Sequence, residues 1–557
     1  MTGVWLLVAT SAVFCAAYFV YGRILEKVLG VDPARKTPAE TRRDGIDYVP
    51  AAPAVLFGHH FASIAGAGPI VGPIAAAYFG WGAVVLWVVL GCVFVGAVHD
   101  MVSLYLSVRH EGRSIASVIE TVLGRPGKLL FLVFCWSTLV LVCAEFTRQV
   151  AATFVSTPAV ATSSLLFIAL AVVFGLCVSR LGVKVLPATF LFVPVMFACV
   201  WAGTKLPLDL TAPAFGFSKS GAQTVWTLVL LGYCFLASTL PVWLLLQPRD
   251  YLNSYLLYAM MALGFAGVFA AGPAVRLDAF AGFSAVNGAG KSMPLFPFLF
   301  ITIACGACSG FHSLVASGTT AKQIASERHI RPVAYGGMLL EGVLAILALL
   351  AVGSFTQPEL LGKLGEKTPV ALFASGIGAF CTKLGIPQET GTVFMSLAVS
   401  AFLMTSVDTA TRLARFTWQE LFQSVGASGK APRGVAGMYP ATGLVVGLVA
   451  LLLLGEPEAA KNLWNVFASA NQLLAGLTLF TASLWLYKNR KAWWTTLMPM
   501  LFMLSVSSAG LFALCNSSWR DGNEVLAFVT AALLALAAVL VALAVASFLT
   551  VRRSVSR

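Results

Sequence analysis

The stretch Val55-Leu56-Phe57-Gly58-His59-His60-Phe61-Ala62-Ser63-Ile64-Ala65-Gly66-Ala67-Gly68-Pro69-Ile70-Val71-Gly72-Pro73 decides the fold. With its flanks (54–80) it is apolar enough to enter a membrane, and as one helix it would rise roughly 40 Å, more than a hydrocarbon core roughly 30 Å thick requires. Its second half holds three glycines and two prolines in eight residues, which no uninterrupted helix favours. Broken backbone is tolerated in a membrane only where the freed polar groups line a cavity or meet protein, and in transporters such breaks form substrate and ion sites. Gly66-x-Gly68 is no dinucleotide fingerprint, because Val71 stands where a third glycine is needed and no strand precedes it. Close helix packing by small residues is the plainer reading of the glycines, and it is compatible with a break.

Outward from that stretch the chain stays apolar. Of 557 residues 59% are hydrophobic and 11% charged, where a soluble domain carries about 25% charge. Fifteen membrane spans are expected at 3–22, 54–80, 82–107, 129–154, 162–180, 184–203, 223–246, 253–273, 293–325, 333–354, 388–412, 435–455, 460–487, 492–515 and 523–548. The segment 370–381 is too short to span and suits a re-entrant or interfacial element. The net charge of +13 is explained by basic loops on one side of the membrane, not by nucleic acid. Alternate loops carry Arg35, Lys36, Arg42 and Arg43; Arg109, Arg113, Arg125 and Lys128; Arg180 and Lys184; Arg249; Lys322, Arg328 and Arg331; Arg412, Arg415, Lys430 and Arg433; Lys488, Arg490 and Lys491; and the tail Arg552, Arg553 and Arg557. Intervening loops such as Gly455–Lys461 and Arg520–Glu524 are poor in base, which puts the N-terminus outside and the C-terminus inside. Eleven cysteines, mostly within apolar runs, read as small buried residues and not as a disulfide framework. Cys305 and Cys308 are expected on one turn of a packed helix.

Two further spans look interrupted. Residues 293–325 contain Gly306-Ala307-Cys308-Ser309-Gly310-Phe311-His312 and Ser317-Gly318-Thr319-Thr320, and 223–246 carries Ala237-Ser238-Thr239-Leu240-Pro241 at mid-depth. Polar side chains inside spans cost about 2.5–3.5 kcal/mol each on insertion scales. His59, His60, His99, Asp100, Glu145, His312, Glu341, Asp408, Asn465, Asn471 and Gln472 therefore suggest a polar interior path. His59, His60, His99, Asp100 and Asp408 can exchange protons; Ser309, Ser313, Ser317, Thr319 and Thr320 with freed carbonyls equally suit sodium. A metal or haem held by His59, His60 and His312, with His99 and an acid, is conceivable, though neither HExxH nor a CxxC…CxxC pair supports it. No GxxxxGK[ST] or GxSxG sequence points to ATP-driven pumping or to a nucleophile elbow, so no catalytic residue is expected.

Asp44-Gly45-Ile46-Asp47-Tyr48-Val49-Pro50, the run from Val55 to Pro73, Val95-Gly96-Ala97-Val98-His99-Asp100, Ser309–Ser313 with Ser317–Thr320, and Trp464–Leu474 around Asn471-Gln472 resemble the signature of the carbon starvation protein A (CstA) family. The resemblance implies uptake of peptides, or of pyruvate with protons, through a cell membrane. It also implies membership of the amino acid–polyamine–organocation superfamily, whose LeuT-like core has two inverted five-helix repeats. The fold expected is thus an all-α integral membrane protein with a LeuT-like 5+5 core, about fifteen transmembrane helices and a re-entrant segment. Residues 1–412 would form the core region and 413–557 the C-terminal helices. In that register 54–80 is core helix 1, 223–246 core helix 6 and 293–325 core helix 8. Substrate would meet Gly66, Gly68, Gly72, Ser238, Thr239, Ser309 and Gly310, with half-helix amides at Gly68 and Ser238 facing a carboxylate. Coupling to H+ or Na+ would fall to His59, His60, His99, Asp100, Ser317, Thr319, Thr320 and Asp408, with no cofactor required. A metal- or haem-binding starvation sensor and a passive channel are the competing expectations.

Overall fold

The structure, a computed structural model, describes residues 2–44, 48–241, 243–425, 437–455 and 463–555. Gly45–Asp47 of the family signature, Lys430 and Arg433, most of the loop Gly455–Lys461 and the final Arg557 lie outside the described residues. Among those described, twelve helices are long and apolar enough to cross a membrane, or thirteen counting one bent pair. Their prevalence follows from the solvent: in hydrocarbon a helix satisfies its own backbone donors and acceptors.

In chain order the helices are α1 Gly3–Leu29, the bent pair α2 Pro53–Ile64 and α3 Gly68–Ala76, then α4 Trp81–Arg109, α5 Ile115–Ser156, α6 Pro158–Ser179 and α7 Val185–Lys205. They continue as α8 Lys219–Thr239, α9 Leu246–Ala271, the short α10 Leu295–Thr302 and α11 Phe311–Gly318, and α12 Glu327–Gly353. After these come α13 Gln357–Glu366, α14 Pro369–Cys381, α15 Gln388–Val425, α16 Met438–Leu454, α17 Leu463–Lys488, α18 Trp494–Arg520 and α19 Glu524–Val555. A two-stranded hairpin, β1 Ser284–Val286 and β2 Ser292–Pro294, precedes α10. Polar caps set the boundaries where loops begin: Ser114 Oγ accepts from Ser117 N–H (3.3 Å) and Ser218 Oγ from Gly221 N–H (3.1 Å). Gly124, at φ 70°, kinks α5 near its start.

Twelve of the fifteen expected spans coincide with these long helices. The other three differ in kind. Residues 54–80 form the pair α2–α3, bent by 43° at Ala65–Ala67. Residues 293–325 form two eight-residue helices separated by Ile303–Gly310. The third is α16, at 17 residues shorter than a usual span. The short element expected near 370–381 is α14, whose end packs against Gly267 near the end of α9 and whose Gly376 packs against Ala351 near the end of α12. It joins the same end of the bundle from which α15 departs. Helix α15 runs unbroken through Arg412, the expected boundary between core and C-terminal helices.

The second discontinuity lies at 303–310 and not at 238–241. Helix α8 continues regularly to Thr239 and ends there, so Ser238–Pro241 is a helix terminus and not a mid-span break. Pro241 has no amide to continue the ladder, and apolarity on both sides of it hid the end. Cys305 and Cys308 fall in the break, with Cys305 in a 3-10 turn, and both are free thiols.

The two broken helices are antiparallel and cross at their breaks. At one end Ala51 N–H donates to Gln323 O (2.9 Å); at the other Trp81 N–H donates to Asp278 O (2.9 Å) and Ala281 N–H to Phe79 O (3.0 Å). At the crossing a Cβ on Gly68 would lie 2.2 Å from Cys305 Cβ, and one on Gly72 would lie 2.8 Å from Thr302 O. Only glycine permits such an approach. Each broken helix is followed by a long helix containing one π-helical turn, Cys92–Gly96 in α4 and Arg331–Tyr335 in α12. The Tyr335 hydroxyl donates to Val93 O (3.3 Å), joining the two turns.

Candidate functional site

Freed backbone at the second break is satisfied from α17. Asn471 Oδ1 accepts from Phe311 N–H (2.8 Å), Asn471 Nδ2 donates to Ser309 Oγ (3.0 Å), and Gly310 N–H donates to Asn471 O (3.1 Å). Gln472 Nε2 donates to Phe300 O (2.6 Å) and Trp464 Nε1 to Thr302 O (3.3 Å). The polar run of α17 therefore completes the backbone accounting that a broken membrane helix requires.

Behind the crossing lies a chain of fully buried titratable groups. Asp100 on α4 holds His99 Nδ1 through Oδ1 (2.8 Å) and His312 Nδ1 through Oδ2 (2.8 Å). His312 Nε2 in turn stands 3.4 Å from Glu341 Oε2 on α12. Beside it His60 Nδ1 bonds Thr320 Oγ1 (2.9 Å), tying the first half of one broken helix to the far end of the other. A carboxylate in such a site needs partners, because an unpaired buried charge costs several kcal/mol. Asp100 has them on both oxygens.

A second cluster joins α8, α9 and α15. Arg249 forms a buried ion pair with Asp408, whose Oδ2 also accepts from the Tyr233 hydroxyl (2.6 Å), and Arg249 Nη2 donates to Ala401 O (3.2 Å). One turn past Asp408 on α15, Arg412 Nη2 donates to Ala237 O (2.7 Å) and Leu240 O (2.8 Å), and a turn further Arg415 Nη1 donates to Ser238 O (2.7 Å). These guanidiniums cap the carbonyl end of α8, the favourable end for a cation. Ser238 thus presents a carbonyl, and not the amide expected of a half-helix N-terminus.

Between these clusters runs a cavity of about 1990 Å³, extending from Tyr48 and Gln323 to Gly58 and His59 on α2. Of the residues expected at the site, His59, Thr239, Ser317 and Thr319 line it. Gly66, Gly68, Gly72, Ser309 and Gly310 instead pack at the crossing: Gly66 against Ser406 Oγ, Gly310 against the Asn471 carbonyl, and the rest as above. His60, His99, Asp100 and Thr320 belong to the buried chain, and Asp408 to the arginine pair. His59, His60 and His312 do not converge on a point. His59 Nδ1 faces Asp250 at 3.8 Å, His60 engages Thr320, and His312 lies between Asp100 and Glu341. Among the described residues no three His, Cys, Asp or Glu side chains are placed to hold a metal ion, which corrects the expectation of a histidine metal site.

Sequence inspection missed Tyr233, Arg249, Asp250, Arg412 and Arg415 as site residues. Three of them are arginines that had been counted as loop charges, yet Arg249 is 1% exposed. The adjacency Arg249-Asp250 directly before an apolar run was the available signal.

Residues 2–362 and 361–510 match the family model described as carbon starvation protein CstA. The peptide transporter CstA of Escherichia coli (strain K12) is 34% identical over 563 residues, covering 90% of this chain and 80% of that protein. The peptide transporter CstA of Bacillus subtilis (strain 168) is 32% identical, covering 93% and 91%. The pyruvate/proton symporter BtsT of Escherichia coli (strain K12) is 30% identical, covering 90% and 80%. Among solved structures, an Eremococcus coleocola manganese transporter bound to an aromatic bis-isothiourea substituted compound aligns at TM-score 0.45 and 11% identity, covering 92% of this chain and 99% of that one. A Na+-coupled sialic acid symporter in a substrate-bound outward-open state aligns at TM-score 0.40 and 12% identity, covering 94% and 96%.

Proposed function

The chain belongs to the carbon starvation protein CstA family, and from that premise we propose that it is a secondary active transporter importing short peptides, coupled to protons. It is a transporter and not an enzyme, as its relatives are. The observation that carries the peptide reading is the cavity. At about 1990 Å³ it exceeds the roughly 300–1,000 Å³ of ordinary small-molecule sites, and its walls carry both acidic and basic side chains. A zwitterionic chain of two or three residues suits such a wall. Arg412 and Arg415, which line the cavity, favour a second reading with pyruvate as cargo, the substrate printed in the name of the relative BtsT.

Several features support the finer architecture. Two antiparallel broken helices, each followed by a helix with a π-helical turn, suit two inverted five-helix repeats of the LeuT kind. The first repeat would run over α2–α7 and the second over α10–α17, with α8 and α9 between them and the remaining helices outside. This register puts core helix 6 at α10–α11 in place of 223–246. Loop charge supports an N-terminus outside, a C-terminus in the cytoplasm of a cell-membrane protein, and a cavity that opens inward beside Lys322 and Lys128. Asp100, His312 and Glu341 form the proton-coupling candidate, because three titratable groups within hydrogen-bond reach or nearly so can share protons.

Uptake of labelled dialanine and labelled pyruvate into proteoliposomes under imposed pH and sodium gradients tests the proposal. Accumulation of dialanine that collapses with the pH gradient is expected. Accumulation of neither compound by intact protein overturns the transport reading, and accumulation indifferent to the pH gradient overturns the coupling.

A further inference from the structure

Resting on the peptide reading, we propose that Asp250, backed by His59, is the cavity's receptor for a substrate ammonium group, so that the cargo must carry a free, protonated amine.

Asp250 stands in the first turns of α9, next to Arg249, but the two side chains serve different places. Arg249 turns to Asp408, Tyr233 and the Ala401 carbonyl. Asp250 lines the large cavity. It is 2% exposed, and among the described residues neither carboxylate oxygen has a hydrogen-bond partner. His59 Nδ1 stands 3.8 Å away, beyond hydrogen-bond length, and His59 Nε2 is also unpartnered. A buried carboxylate left so is costly unless something completes it. The other buried carboxylate beside it, Asp408, has arginine and tyrosine from within the protein on its Oδ2. Asp250 instead belongs to the wall of the cavity, where a partner from solution can reach it.

A primary ammonium suits this carboxylate in charge and in donor number, since it brings three N–H groups to an acceptor-only anion. Aromatic side chains stand nearby on α9: Tyr251, Tyr255 and Tyr258 line the same cavity, and their ring faces favour a cation. Tyr258 closes against α2, its hydroxyl 2.9 Å from where a Cβ on Gly58 would stand. The opposite end of a zwitterion also has its counterpart. Arg412 and Arg415 line the cavity, and each keeps an unpartnered Nε after capping α8. Peptides and amino acids satisfy both requirements, while a plain monocarboxylate satisfies only the second. Asp250 is thus a specificity-determining residue between the two cargoes printed in the names of the relatives.

The test is equilibrium binding to the purified full-length protein in detergent, by calorimetry, with dialanine and N-acetyl-dialanine. Acetylation replaces the ammonium with a neutral amide and leaves the rest of the peptide unchanged. Wild type is expected to bind dialanine about tenfold or more tighter than its acetylated form, the scale of one charged hydrogen bond. Asp250→Asn is expected to lose that preference, and Asp250→Glu to keep part of it. Equal affinity of wild type for the two ligands overturns the assignment and leaves peptide transport standing. Binding of neither peptide overturns the peptide reading on which it rests. If D250N keeps the preference for the free amine but loses gradient-driven accumulation, Asp250 carries the coupling proton and the assignment is wrong. Should D250N fail to fold, the wild-type ligand pair and D250E decide the matter without it.

Discussion

Gly68→Ala tests the crossing of the two broken helices at one atom. The added Cβ would lie 2.2 Å from Cys305 Cβ and 2.7 Å from its Sγ, where carbon contacts settle at about 3.5–4.0 Å. A Cβ cannot rotate away, so the two backbones must part by more than about 1 Å. Overpacking of this kind costs about 1–3 kcal/mol. Alanine returns up to about 1 kcal/mol through its helix preference over glycine, so a net loss of about 1–2 kcal/mol is expected. The control distinguishes the Cβ from the sulfur. Cys305→Ala keeps the clashing Cβ and should not rescue G68A, whereas Cys305→Gly removes it and should recover most of the loss. Denaturation by SDS in mixed micelles, read as a double-mutant cycle, measures both. G68A as stable as wild type, or rescue by C305A equal to that by C305G, refutes the packing of the two breaks described above.

Three other perturbations follow from the same structure. Asn471→Ala strips the Phe311 amide and Ser309 of their partner and should cost about 1–3 kcal/mol, with Asn471→Asp milder because it keeps the acceptor, both read by the same denaturation. Arg249→Met leaves Asp408 buried without its cation and should cost about 3–5 kcal/mol, while the double variant R249M/D408L should recover most of that; a double variant as unstable as the single one would contradict the pairing. Asp100→Asn removes the charge that His99 and His312 share and leaves one acceptor for the two, so reconstituted protein should exchange substrate by counterflow yet fail to accumulate it against a gradient. Retained accumulation would exclude Asp100 from coupling.

The helices were legible because membrane insertion imposes a coarse, length-dependent signal: twelve apolar runs appear as twelve long helices. The break at Gly66–Pro73 was legible for the same kind of reason, since clustered glycine and proline act locally. The position of the second break was not. Gly306–Gly310 and Ser238–Pro241 look alike as sequence, and only packing tells an interruption from an end: Asn471 caps the former in mid-bundle, while Arg412 and Arg415 cap the latter as a terminus. Asn471 was visible as a polar residue in a span, but what it bonds is 160 residues away, which no local pattern records. The arginines were misassigned through depth. A basic residue near a span boundary reads as a loop charge, yet its stem can run inward along the bundle, and Arg249 does so to reach Asp408.

Charge accounting inside the bundle separates structural groups from those that face a ligand. Glu145 is held by Arg148 (2.6 Å) and Gln149 (2.8 Å) on its own helix. Asp100 is held by two histidines and Asp408 by arginine and tyrosine on one oxygen, so each is paired within the fold. Removing any of those carboxylates leaves a buried cation or donor unmet, and stability must fall. Asp250 differs in that its removal strands nothing within hydrogen-bond distance. Its neutral replacement should therefore be tolerated by the fold, and even relieve it of the desolvation cost of a buried carboxylate, while altering what the cavity accepts. A site that costs stability to keep and changes specificity when lost is the thermodynamic mark of a binding group, as opposed to a structural one.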